Sequence, residues 1–161
     1  MKRKDIIKIL TPGIVVGFIL GFTLTMIVGV NKNEPLPNYI GGIMCCLVPT
    51  ILNCTIVLKG TAKTLKWELA VSKAFVKAIP YSLLGGLLGI FFVTVIVETI
   101  FNISSCDIPR LTTALYQAPL GVVVSTCLAY LALRKYEKTV KYKRRTKKSD
   151  TSDKNKKDKK A

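Results

Sequence analysis

Four runs of about twenty residues carry almost no charge, and a helix of that length crosses the hydrocarbon core of a bilayer. They cover about residues 11–30, 39–58, 80–101 and 112–133, and Glu98 is the one charged residue inside them. A helix packed on a soluble core is apolar along one stripe. These runs are apolar all round, so a water-soluble bundle is the weaker reading. Lipid offers no water to backbone N–H and C=O groups, so each run is predicted to be a helix. The expected fold is all-α: a polytopic membrane protein with four transmembrane helices.

The bases are distributed to match. Four precede the first run, one (Lys32) follows it, five lie between the second and third, one (Arg110) precedes the fourth, and fourteen follow Leu133. Lys and Arg accumulate on the cytoplasmic side of membrane proteins. The alternation therefore predicts a multi-pass protein of the cell membrane with both termini in the cytoplasm. The start, Met1-Lys2-Arg3-Lys4, is similar to the basic end of a signal peptide. The apolar run after it exceeds the usual length of about 7–15 residues, and no small-residue cleavage site follows, so an uncleaved helix is expected. Half of the 161 residues are hydrophobic while the net charge is +16. That combination excludes an ordinary cytosolic enzyme and wholesale disorder.

Between the second and third runs, Lys63, Lys66, Lys73 and Lys77 recur at helical spacing, with Leu65, Leu69, Phe75 and Ile79 mostly opposite. This pattern predicts an interfacial amphipathic helix over residues 61–79, its lysines meeting anionic inner-leaflet lipids. An extension of the third helix, interrupted at Pro80, is the other reading. Residues 134–161 are basic and poor in apolar side chains, which predicts a disordered cytoplasmic tail. No aromatic residue lies between Arg144 and Lys160, so a reader of stacked nucleic-acid bases is not expected.

Small residues recur every fourth position: Gly13, Gly17 and Gly21 in the first run, Gly85 and Gly89 in the third. Such spacing lets helix backbones approach closely in lipid. Pro12, Gly17, Leu20 and Gly21 align with Pro80, Gly85, Leu88 and Gly89, which suggests a parallel internal repeat. Pro12 and Pro80 are expected in the first turn of their helices, where a missing N–H costs nothing.

The stretch Cys45 to Gly60, then Trp67, then Lys73-Ala74-Phe75-Val76-Lys77-Ala78-Ile79-Pro80, resembles a two-helix unit of uncharacterised small bacterial membrane proteins. In that unit an apolar helix with an internal Asn or Thr is followed by an Ala-Phe-x-x-Ala-x-Pro lead into the next helix. The resemblance implies a membrane fold and brings no activity with it.

Chemistry is sparse. The chain has no histidine, the commonest general base and a frequent metal ligand. Cys45 and Cys46 are adjacent, unlike the spaced pairs of zinc and redox sites. Cys106 alone of the five cysteines falls in an outer loop. No nucleophile–base pair, phosphate loop or paired carboxylate is evident, and no cofactor is expected. Polar groups at membrane depth are functional candidates, here Asn53, Gln117 and Glu98. The expectation is a non-enzymatic accessory or scaffold protein that associates with the lipid bilayer and with a second copy or a membrane partner protein. A small holin-like permeabiliser and a minimal transporter are the alternatives.

Overall fold

A computed structural model describes residues 1–28, 36–92 and 110–158. They form four helices: α1 (Arg3–Val28), α2 (Leu36–Thr64), α3 (Val71–Phe91) and α4 (Arg110–Asp158). Each is long and apolar enough to cross a membrane. Glu98 and Cys106 lie outside the described residues.

The contacts fix the helix directions. Gly13 meets Asn53, Gly17 meets Pro49 and Gly60 meets Ile9, so α1 and α2 are antiparallel. Gly85 meets Thr50 and Gly89 meets Gly42, so α2 and α3 are antiparallel as well. Gly41 meets Gln117 and Gly121 meets Cys45, so α2 and α4 run parallel. The result is an up-down-up-down bundle. α2 touches all three other helices, α4 touches all three, and α1 and α3 make no contact with each other among the described residues. The bundle is thus a rhomb, with α2 and α4 on its short diagonal and α1 and α3 at its outer corners.

The buried faces are made of small residues. In the span of α1 beyond Ile6, the buried positions are Gly13, Gly17 and Gly21. In α3 they are Ala74, Ala78, Ser82, Gly85, Gly86 and Gly89. Large apolar side chains such as Ile19, Phe18, Leu83 and Leu87 point outward. In water this would be inside out. In lipid, outward apolar groups are solvated by acyl chains, and close backbone approach supplies the packing.

Three expectations change. First, there is no separate amphipathic helix over residues 61–79. α2 continues to Thr64, a turn covers Leu65 and Lys66, and α3 starts at Val71. The lysine stripe is therefore split between two antiparallel helices. Phe75, Val76 and Ile79 are exposed and the buried face at this point is Ala74 and Ala78. Second, Pro12 and Pro80 lie inside α1 and α3, as Pro49 and Pro119 lie inside α2 and α4. Membrane helices tolerate an internal proline because neighbours re-satisfy the freed backbone. Third, α4 runs unbroken from its apolar part through the basic segment to Asp158. Lysine is a good helix former, and a segment that extends an existing helix avoids the cost of nucleation.

Candidate functional site

Two regions carry the polar chemistry: a seam along the bundle interior and a basic end. The seam begins at α2. Thr50 and Asn53 are buried on it, facing α3 and α1 respectively. The Thr50 hydroxyl donates to the carbonyl of Cys46 within its own helix. Ser82 of α3 is buried and donates across the interface to the carbonyl of Leu47 at 2.9 Å. From α4, Ser125 donates to Val122 at 3.1 Å beside Gly17, and Gln117 is fully buried against Gly41.

Asn53 differs from the rest. It is 1% exposed, and neither its carboxamide oxygen nor its nitrogen has a hydrogen-bonding partner among the described residues. Its carboxamide occupies the space that a Cβ on residue 13 would fill. Burying an unpaired amide costs about 1–3 kcal/mol by protein mutational measures. Gly13 is what makes room for that group.

The glycines predicted as packing positions all lie at helix contacts, at differing closeness. A Cβ at Gly89 would collide with the Gly42 carbonyl oxygen. One at Gly85 would lie 2.7 Å from the Thr50 hydroxyl oxygen. At Gly17 the nearest atom would be Ser125 Oγ at 3.5 Å, and at Gly21 it would be the Ala118 Cα at 3.4 Å. Gly121, which the four-residue spacing did not mark, is among the closest: a Cβ there would collide with the Cys45 carbonyl oxygen. That carbonyl is four residues before Pro49, so it has lost its helical N–H donor. The bare Gly121 backbone of α4 packs where α2 is short of one bond.

The thiols of Cys45, Cys46 and Cys54 are buried, and that of Cys127 is exposed. Cys45 Sγ lies 3.3 Å from the Gly42 carbonyl and 3.6 Å from that of Gln117, in weak donor contacts. Among the described residues no three His, Cys, Asp or Glu side chains gather into a metal-holding group.

At the opposite end of the bundle from Gln117, the start of α1, the end of α2, the start of α3 and the basic part of α4 come together. Lys63, Lys66, Lys73 and Lys77 are all exposed there. Glu137 is a hub that sequence reasoning missed: its residue is 4% exposed, and its carboxylate pairs with the Met1 ammonium at 2.7 Å, Lys141 at 2.8 Å and Arg134 at 3.5 Å. Its spacing to Lys141 and Arg134 on α4 was the available signal. Lys77 places its ammonium 4.8 Å from the ring centroid of Tyr136.

No protein-family model, no curated protein and no solved structure matches this chain. The geometry alone carries the functional argument.

Proposed function

We propose that the chain is a multi-pass protein of the cell membrane, both termini cytoplasmic, acting as a non-enzymatic accessory or scaffold protein. The observation that carries this reading is the closeness of the interior. At Gly89–Gly42 and Gly121–Cys45 the helix backbones are in contact. Contact at that level closes the α2–α3 and α2–α4 interfaces to a solute at that depth. A protein so closed acts through its outer surface: exposed apolar flanks on α1 and α3, and a basic end. The positive-inside rule assigns that end to the cytoplasm.

The experiment is reconstitution of the full chain into dye-loaded vesicles, with crosslinking in the bilayer and light scattering of the purified protein. The expected result is a monomer or dimer and no leak. A ring-sized homo-oligomer with dye release overturns the scaffold reading in favour of a permeabiliser. Asn53 favours a second reading, a minimal transporter, because an unpaired amide at membrane depth is a candidate ligand group. That reading requires saturable uptake that Asn53→Leu abolishes.

A further inference from the structure

α3 and α4 touch less than any other pair in contact. At the basic end a cleft of about 330 Å³ opens between them against α2. Its apolar side is formed by Leu58, Pro80 and Ala132, with the ring of Tyr81. Lys77 from α3 and Lys135 from α4 stand on it from opposite walls. The cation–π contact with the 6%-exposed Tyr136 holds the Lys77 ammonium in place. No carboxylate among the described residues lies within ion-pair distance of either lysine. Glu137, the nearest acid along α4, is already held by Met1, Arg134 and Lys141.

Two ammonium groups without a counter-charge, over an apolar floor, complement an anionic amphiphile. The volume is about eleven times a water molecule's share of liquid, enough for a phosphate, a glycerol and the first carbons of a chain. The cleft also lies where the uncharged runs of α3 and α4 give way to charge, which is where a phospholipid presents its phosphate. We infer that this cleft is a binding site for one anionic phospholipid, its phosphate between Lys77 and Lys135 and its upper acyl carbons along Leu58, Pro80 and Ala132. The inference rests on the membrane reading above and deepens it from a generally basic surface to one built site.

The test uses the full chain in nanodiscs of mixed phosphatidylglycerol and phosphatidylcholine. Retained lipids are counted by native mass spectrometry after release into detergent. The variants are Lys77→Gln with Lys135→Gln, and a control of equal charge, Lys138→Gln with Lys143→Gln. The wild type and the control are expected to keep phosphatidylglycerol. The cleft variant is expected to lose that preference by about tenfold or more, the scale for two bases near a bilayer surface. Lys77→Arg with Lys135→Arg, which keeps both charges, is expected to retain it and guards against a folding defect. Equal loss in the control, or no loss in the cleft variant, overturns the site. Displacement of the lipid from the wild type by millimolar glycerol 3-phosphate also overturns it, in favour of a soluble phosphate ligand. Flotation with pure phosphatidylcholine vesicles separates the two levels: a chain that floats but fails the lipid count refutes only the cleft, and a chain that does not float refutes the membrane reading and this site with it.

Discussion

A single methyl group distinguishes the glycines of this bundle. Gly89→Ala and Gly121→Ala each drive a Cβ into a carbonyl oxygen of α2, a backbone atom that cannot rotate away. Overpacking of this kind costs about 1–3 kcal/mol, so both variants are expected to lower the thermal midpoint in detergent. Gly17→Ala meets nothing closer than 3.5 Å and removes a helix-interior glycine. It is expected to be neutral or to gain up to about 1 kcal/mol in the same melt. Gly13 and Asn53 form a coupled pair, because the carboxamide lies where the new methyl would go. Gly13→Ala alone is expected to destabilise, and Asn53→Ala in the same chain to restore most of the loss. A double-mutant cycle checks this, with a coupling of about 1–3 kcal/mol expected. Additive single effects would mean that the two residues do not share that space. The four-residue glycine spacing was legible in the sequence, and its closest contacts were not. Closeness depends on what the facing helix presents, as at Gly121 opposite Cys45, and no spacing rule carries that information.

At the scale of elements, the turn after α2 holds a local strain. Lys66 has a φ of 50°, a left-handed conformation that glycine adopts without penalty. The Trp67 N–H donates to the Ala62 carbonyl at 2.9 Å and the Lys66 N–H to that of Lys63 at 3.0 Å, the paired bonds of a Schellman cap. Trp67 packs on the core cluster that includes Ala62, completing the cap's apolar contact. Lys66→Gly keeps both bonds and relieves the side-chain clash. It is expected to stabilise the chain by up to about 1 kcal/mol, read as a higher thermal midpoint, and a fall would show that the lysine side chain matters more than the backbone. This cap explains why residues 61–79 are not one helix. The lysine period there matches a helix, yet a left-handed residue at position 66 reverses the chain. The four helices themselves were legible, since twenty uncharged residues leave few alternatives. Their inward faces were harder to read. The habit of placing large apolar groups inside suits water, whereas Ala74, Ala78 and Ser82 extend the glycine stripe of α3 by the small-residue logic of lipid.

At the scale of the whole molecule, the helix directions gather the bases of four separate segments at one end. A cytoplasm-dependent reporter inserted at Leu69, in the turn between α2 and α3, or fused after Ala161, is expected to be active. One inserted at Asn33 is expected to be silent. The reverse pattern would overturn the charge-based orientation. The contact pattern also bears on the internal repeat. α1 and α3 occupy the two outer corners, each touching both α2 and α4 and neither the other among the described residues, but α3 leans on α2 and meets α4 only lightly. A two-fold relating α1–α2 to α3–α4 would also make α3 and α4 pack as closely as α1 and α2 do, and among the described residues they do not. Gly17 and Gly85, aligned by the repeat, both face a hydroxyl-bearing residue, Ser125 and Thr50.

The length of α4 has a mechanical consequence. Its 49 residues make a rod of about 74 Å, against about 30 Å for the hydrocarbon layer. About 37 Å of it, from Arg134 to Asp158, extends past the uncharged run. A load on the far tip therefore reaches the bilayer interior along one continuous lever, with Gly121 against Cys45 near its buried end and the ion pairs of Glu137 near the point where it leaves the bundle.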